Sequence, residues 1–158
     1  QALVMSAIGD VFLREDNLDK ATYWYECAVP LAIKSESPVI FHSAVNNLGD
    51  IAFTQAQYEK AEQLYDAADQ LAGKMLYAEG MVRAREQRGL CQEHQHAYDR
   101  AVKSWRAAAD VSRTTGMMDH LKANLEHLCR GYQELKLADE FAAARTELNE
   151  VENPGGAQ

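Results

Sequence analysis

Histidines and carboxylates are the side chains of this sequence best suited to chemistry, and their spacing argues against a catalytic or metal site. The densest group is Glu93-His94-Gln95-His96. On a helix, residues two positions apart point about 200° away from each other, so His94 and His96 cannot bind one metal ion unless the helix has ended. His120 and His127 share a helix face, but two turns separate them. The sequence therefore predicts no catalytic residues, no metal site and no cofactor.

Known catalytic and nucleotide-binding motifs are missing as well. The sequence contains no G-x-x-x-x-G-K-[ST], G-x-G-x-x-G, H-E-x-x-H or G-x-S-x-G. Its carboxylates are abundant, but they are spread over solvated helix faces, as in other acidic helical proteins. We therefore predict that the chain is not an enzyme.

Charge and cysteine content restrict the partners and the compartment. The 158 residues carry a net charge of −8, from 16 basic and 24 acidic side chains, which argues against nucleic acid as a direct ligand. No apolar run approaches the ~20 residues of a membrane span. Cys27, Cys91 and Cys129 cannot all pair, which predicts reduced thiols in a cytoplasmic protein. The start at Gln1 rather than Met suggests a fragment or a processed form.

The chain is organised in repeats of forty residues. Apolar and small residues within each repeat follow steps of three and four, which place them on one face of a helix. Two such stripes, separated by a polar break, indicate a helix, a tight turn and a second helix. We expect the aromatic residues of the second helices to be buried. Four columns of matched residues carry the period: Gly9, Gly49, Gly89; Ala21, Ala61, Ala101; Tyr25, Tyr65, Trp105; and Ala28, Ala68, Ala108.

The segment AVNNLGD at 44–50, followed by Tyr58-Glu59-Lys60-Ala61, resembles the tetratricopeptide repeat (TPR), although the usual TPR period is ~34 residues. This resemblance covers about residues 2–152. It implies an all-α, right-handed superhelix (solenoid) of about four helix-turn-helix units, with eight helices and no sheet. We predict a TPR-like repeat array over residues 1–152 and a flexible tail over residues 153–158. The units are expected at about 2–36, 37–76, 77–116 and 117–152.

Local signals predict where the helices begin and end. Pro30 should bend or end the second helix, because it lacks a backbone donor, unless the last turn of that helix is already frayed. Ser37 is predicted to cap the third helix, with Pro38 in its first position. Gly73 and Gly116 are predicted to terminate the fourth and sixth helices. The expected ranges are about 2–15, 18–34, 38–54, 58–72, 77–95, 98–115, 118–136 and 139–152.

Two repeats depart from the pattern. In the third, apolar columns become Arg85, Arg88 and Gln92. Because an unpaired buried guanidinium is costly, the arginines should extend to solvent, pair with carboxylates or mark a shifted helix register, unless they form a polar binding site. In the fourth, Cys129 and Tyr132 take the glycine and aromatic columns, and Phe141-x-x-Ala144 matches only after a three-residue shift. A degenerate terminal repeat predicts a capping helix pair.

The TPR resemblance implies where a partner would bind, because the first helix of each unit lines the concave groove in that family. Asn46 and Asn47 are the best candidates to bracket a peptide backbone, since an Asn amide both donates and accepts hydrogen bonds. The alternative is that these are ordinary exposed polar residues. The predicted peptide-binding groove comprises Ser6, Asp10, Leu13, Arg14, Ser43, Asn46, Asn47, Asp50, Phe53, Arg83, Glu86, Gln87 and Leu90.

One TPR class binds the C-terminal carboxylate of chaperones through Lys, Asn and Arg residues of its first helices. Asn47 and Arg83 fall at two of those positions, but Ser6, Asp10 and Gln87 replace the others. Asp10 would repel a carboxylate. The expected partner is therefore another protein, which contributes a basic or neutral peptide segment or helix rather than a C-terminal carboxylate.

Three functions remain open from the sequence. The leading one is a non-enzymatic protein-interaction scaffold that binds a peptide or helix in its groove. The second is a ligand- or peptide-sensing regulatory domain of a larger signalling or transcription protein, which would carry an effector domain elsewhere. The third is a structural assembly subunit, against which a monomer mass independent of concentration would count.

Overall fold

The computed structural model describes residues 1–153, and this part of the chain is all-α, with eight helices and no strand. The predicted all-α architecture is confirmed. Of the predicted tail at 153–158, residues 154–158 lie outside the described residues. The helices are α1 (Ala2–Arg14), α2 (Leu18–Lys34), α3 (Pro38–Thr54), α4 (Tyr58–Lys74), α5 (Ala78–His94), α6 (Tyr98–Thr115), α7 (Met118–Glu134) and α8 (Ala138–Glu152).

These helices form two compact units. The first unit is Gln1–Tyr77, with α1–α4, and the second begins at Ala78 and holds α5–α8. Consecutive helices of a unit pack against each other, and α1 also contacts α3, as α5 contacts α7. Among the described residues, the backbones of α2 and α4 do not approach each other, nor do those of α6 and α8, which a side-chain ion pair between Arg113 and Glu147 joins. Within each unit the odd-numbered helices therefore lie closer together than the even-numbered ones.

Aromatic rings lie where a glycine leaves the helix backbone open. Tyr25, Tyr65 and Trp105 have no exposed surface, which confirms their predicted burial. A Cβ on Gly9 would lie 2.7 Å from the Tyr25 ring, and one on Gly89 would lie 2.2 Å from Trp105 Nε1. The glycine column and the aromatic column are thus two halves of one contact, in which the ring of the second helix rests on the backbone of the first.

The predicted helix ends agree with the structure to within two residues, but two local predictions need correction. The helix α2 continues past Pro30 to Lys34, as its predicted range required, and a bend at Pro30 stays a prediction. Gly73 lies inside α4 and does not cap it. Ser37 precedes α3 as predicted, yet its hydroxyl makes no cap and donates instead to the carbonyl oxygen of Ser35 at 3.3 Å.

Arg85 and Arg88 keep the helix register and bond to α6. Arg85 Nη1 donates to the carbonyl oxygen of Ala107 at 3.2 Å, and Arg88 Nε donates to the Ser104 hydroxyl at 3.2 Å. That hydroxyl in turn donates to Oε1 of buried Gln92 at 2.8 Å. Since α5 begins forty residues after α3, there is no register shift. The polar column of the third repeat therefore contributes to helix packing.

The fourth repeat also keeps the forty-residue register, because α7 and α8 begin forty residues after α5 and α6. The three-residue shift seen in the sequence is therefore a change of packing residues and not of helix position. Ala144 and Leu148 of α8 join the buried cluster of the second unit, and Phe141 packs at its edge. Arg145, in the aromatic column, is exposed. A capping role for α7 and α8 stays a prediction.

The turns between helices share one backbone conformation, repeated every twenty residues. The N–H that follows each positive-φ residue bonds to the carbonyl five residues earlier, as in a Schellman motif; Tyr77 N to Ala72 O, at 2.9 Å, is an example. Glycine holds this position only at Gly116. Other residue types enter the left-handed region at a cost. They are Asp16, Glu36, Ala56, Leu76, His96 and Lys136, with φ between 49° and 58°.

Leu76→Gly is expected to raise the free energy of unfolding by about 0.5–1 kcal/mol, because relief of the left-handed strain exceeds the entropy that glycine adds to the unfolded chain. The Leu76 side chain is 89% exposed, so little packing is lost. Urea denaturation followed by circular dichroism measures the change. Gly116→Ala, at the equivalent turn, should have the opposite effect. A loss of stability in Leu76→Gly would contradict this reading of the turns.

Candidate functional site

Asp10 connects the odd-numbered helices of the first unit. Its Oδ1 accepts hydrogen bonds from the Tyr25 hydroxyl at 2.6 Å and from Asn47 Nδ2 at 3.2 Å. Burial and then the Asp10 carboxylate raise the pKa of the Tyr25 phenol, which keeps it a donor. Asp50 repeats the arrangement one repeat later, accepting from Tyr65 at 2.6 Å. Both aspartates thus hold the aromatic residue of their own repeat while remaining half-buried at the surface.

Two of the predicted groove residues are not accessible. Ser6 is 6% exposed and Asn46 is 2% exposed. Asn46 Nδ2 donates to the carbonyl oxygen of His42 at 3.1 Å and lies against the His42 ring, while its Oδ1 is buried without a partner. In this conformation Asn46 cannot bracket a peptide backbone, because its side chain is buried.

The other predicted groove residues differ in accessibility. Leu13 packs at the edge of the buried cluster of the first unit, and Leu90 does so in the second. Phe53 is half-buried, with its ring edge-on to Tyr58 at 5.5 Å between centroids. Gln87 and Glu86 are also half-buried. The residues in the exposed class are Arg14, Ser43 and Arg83.

In the third repeat, a leucine and a tryptophan replace the aspartate and the tyrosine of the earlier repeats. Leu90 stands where the earlier repeats have Asp10 and Asp50, and Trp105 stands where they have tyrosine. Without a carboxylate to bond to, the Trp105 indole Nε1–H donates to the backbone carbonyl oxygen of Glu86 at 3.2 Å. In this repeat the aromatic side chain thus bonds to the backbone of α5 instead of to a side chain. Gly89 has no Cβ that would block the approach of the indole.

A polar cluster joins α5 and α7 in the second unit. We call it the Glu86 cluster; it consists of Glu86, His120, Asn124 and His127. Glu86 Oε2 lies 3.2 Å from His120 Nδ1 and 3.4 Å from Asn124 Nδ2, and its Oε1 lies 3.9 Å from His127 Nε2. The two histidines that the sequence separates by two turns therefore share one carboxylate.

Arg130 fixes the tautomer of His127. Its Nη2 lies 2.8 Å from His127 Nδ1, and a guanidinium can only donate, so Nδ1 is the acceptor and Nε2 carries the proton towards Glu86. Arg130 also pairs with Glu93 at 3.2 Å. The His127 ring stacks on Trp105, with centroids 5.1 Å apart. Burial, and then Arg130, lower the pKa of His127 below its ordinary value of 6.5.

The sequence prediction ended the groove at α5 and so omitted the α7 residues of this cluster. One signal could have found His127, because it stands eighty residues after Asn47 and forty after Gln87. The sequence prediction assigned the fourth repeat only a capping role and therefore did not include His127 in the groove. His120 and Asn124 had no such signal, since their columns hold unrelated residue types in the earlier repeats.

Acid is expected to destabilise the second unit through His127. Because its pKa is lowered in the folded state, the unfolded chain binds more protons as the pH falls below about 6.5, and stability falls with it. His127→Gln, whose amide oxygen can still accept from Arg130, should lose less stability than the wild type between pH 7.5 and pH 5.5. Urea midpoints at both pH values measure this, with His94→Gln as the matched control. Equal losses in His127→Gln and wild type would contradict it.

Other kinds of site find little support in the described structure. Within residues 1–153, no three His, Cys, Asp or Glu side chains converge where they could hold a metal ion. None of the helices in that range combines the length and the hydropathy needed to cross a membrane. A cavity of about 310 Å³ opens beside α6, α7 and α8, where Arg106, Arg113, Glu140 and Glu147 line it. Mixed charges there favour salt bridges, such as Arg113–Glu147 at 2.8 Å.

Comparison with known proteins identifies the fold. No protein-family model and no curated protein sequence matches the chain. Aspartyl phosphate phosphatase F from Bacillus subtilis superimposes with a TM-score of 0.85 at 15% identity, over 99% of this chain and 41% of that one. The nearly identical TPR-like repeats of a kinesin light chain from Podosopora anserina give 0.76 at 13% identity, over 99% and 77%.

A third similar structure holds a bound factor. Rap protein complexed with competence and sporulation factor gives a TM-score of 0.75 at 15% identity, over 95% of this chain and 42% of that one. Across three of the structures it matches, the chain spans 41–65% of their length. At such low identities these likenesses establish the fold alone, and that fold is a TPR-like helical repeat.

Proposed function

We propose that this chain is a non-enzymatic interaction scaffold that binds a peptide or helical segment of another protein along its odd-numbered helices. One observation carries the proposal: within each unit the backbones of the odd-numbered helices approach each other, while those of the even-numbered helices do not. Their shared face is therefore the inner one, on which an extended segment can touch two helices at once. Polar groups on that face include Asp10 with Asn47 and Glu86 with its histidines.

Charge defines the partner that this face suits. The chain carries a net charge of −8, and half-buried carboxylates lie on the odd-numbered helices of both units. Complementary charge steers and selects partners more than it strengthens binding. A basic or neutral segment therefore suits this face, and an acidic one does not. The Rap complex with competence and sporulation factor supports the choice of a bound protein or peptide factor, by analogy of fold.

The test uses a half-buried residue of the first unit and an exposed residue of the second, together with matched controls. After a partner is captured by pull-down, Asn47→Ala with Arg83→Ala is expected to weaken its binding at least about tenfold, because buried peptide groups lose their bonds. Lys60→Ala on α4 and Lys103→Ala on α6 should change binding less than twofold. Titration calorimetry measures affinity, and circular dichroism checks that helicity is kept. Loss of binding in the lysine variants alone would assign the partner to the even-numbered helices.

A structural assembly subunit remains a second candidate, favoured by the surface of α1. Val4 and Val11 are 61% and 49% exposed, whereas the residues forty positions later, Ala44 and Ile51, are buried against α2. A face of α1 that is covered in α3 thus remains apolar and open, as an assembly contact requires. Sedimentation at several protein concentrations tests this candidate, because a constant monomer mass excludes self-assembly.

A sensing domain, the third function, would instead change its radius of gyration when it binds its ligand.

A further inference from the structure

The Glu86 cluster has more hydrogen-bond acceptors than donors. Asn124 is fully buried, and its Nδ2 donates to the carbonyl oxygen of His120 at 2.8 Å, which fixes the orientation of the amide. Its Oδ1 is left without a donor. Glu86 Oε1 is contacted only weakly, by His127 Nε2 at 3.9 Å. A buried acceptor without a donor costs free energy, so the cluster is suited to a ligand that brings N–H groups.

The charge of Glu86 is also incompletely compensated. Its side chain is 16% exposed, and its ion pairs in the described structure are with His120 and His127. Imidazoles ordinarily lose their charge above about pH 6.5. Arg130, the arginine beside the cluster, pairs with Glu93 instead. Removing a carboxylate from water without a permanent cation is unfavourable, which gives a cationic ligand an advantage.

We propose that the Glu86 cluster is a subsite for the guanidinium group of an arginine side chain in the bound segment. The proposal rests on the proposed function and specifies one side chain of the partner. A guanidinium presents five N–H donors in one plane, so it can bond to both oxygens of the Glu86 carboxylate at once. An ammonium group is a compact charge without that spread. The His127 ring, which stacks on the buried Trp105 ring, offers a flat neighbour for the guanidinium plane.

The first experiment needs no variant of the protein. The tripeptide amides acetyl-Ala-Arg-Ala and acetyl-Ala-citrulline-Ala are titrated into ¹⁵N-labelled protein at pH 7.5. The Trp105 indole N–H reports on the site because it donates to the backbone carbonyl oxygen of Glu86 and its ring stacks on His127. The Trp24 indole in the first unit is the internal reference. We expect the arginine peptide alone to move the Trp105 resonance saturably. Equal responses to both peptides, or none, would overturn the subsite.

The second experiment compares two carboxylates on one helix. Glu86→Gln keeps the shape of the side chain and removes its charge. We expect this variant to weaken binding of the arginine peptide by about tenfold or more, as loss of a charged hydrogen bond does. Glu79→Gln removes the same charge two turns away on α5, where the side chain is exposed, and should change binding less than twofold. Equal losses in both variants would show attraction by overall charge and overturn the subsite.

The outcomes separate the subsite from the scaffold. If Asn47→Ala with Arg83→Ala weakens binding of the captured partner but Glu86→Gln does not, the scaffold proposal stands and the arginine subsite is wrong. If the groove variants leave the partner bound while the arginine tripeptide still saturates at Glu86, the subsite stands and the partner binds elsewhere.

Discussion

Replacing Trp105 by alanine is expected to lower the free energy of unfolding by about 3–5 kcal/mol, because it leaves a cavity the size of an indole. The ring has no exposed surface, stacks on His127 and donates to Glu86. It also belongs to the buried cluster that α6, α7 and α8 share. Urea denaturation followed by circular dichroism measures the loss. Tyr65→Ala should cost a similar amount in the first unit.

Tyr23→Ala is the matched control, because that aromatic side chain is 61% exposed. Surface substitutions usually change stability by about 0.5 kcal/mol or less. If Trp105→Ala and Tyr23→Ala proved equally mild, the even-numbered helices would not pack through the aromatic column.

Gly89→Ala is expected to destabilise the protein by about 1–3 kcal/mol, although alanine is the better helix former, because the new methyl group overpacks the contact. Its Cβ would lie 2.2 Å from Trp105 Nε1 and 2.5 Å from Cδ1. The indole cannot rotate away easily, since Glu86 and His127 hold it. Thermal or urea unfolding measures the effect.

Gly73→Ala separates crowding from helix propensity. Nothing lies within 4 Å of a Cβ at Gly73, inside α4, so alanine there should stabilise by about 0.5–1 kcal/mol. The double variant Gly89→Ala with Trp105→Phe should recover part of the loss, because the smaller ring makes room. A stabilising Gly89→Ala would mean that the ring does not rest on the α5 backbone.

The helices could be predicted closely because their signals are local. The polar breaks and the capping signals lie within a few residues of each helix end, and the forty-residue period repeats them along the chain. Gly116 ends α6 in the left-handed conformation, as predicted. The misplaced cap at Gly73 has the same local origin, since the turn that follows it is made by Leu76, a residue type that sequence rules do not assign there.

The candidate site could be predicted only in part, because periodicity shows which residues share a face and not what covers that face. Asp10 and Asn47 fall on the expected helices, yet they bond to each other across thirty-seven residues. Asn46, one position away, is buried by its neighbours. No pattern in the sequence distinguishes these two asparagines, since their difference arises from the packing of adjacent helices.

By itself the sequence determined the repeat, the helix boundaries and the burial of the aromatic residues, since each follows from a period or a local signal. Only the tertiary structure decided that Glu86 meets His120 and Asn124, which are thirty-four and thirty-eight residues away. It also decided that the arginines of the third repeat bond to α6. Such contacts depend on the distance between helices, and a one-dimensional pattern carries no information on that distance.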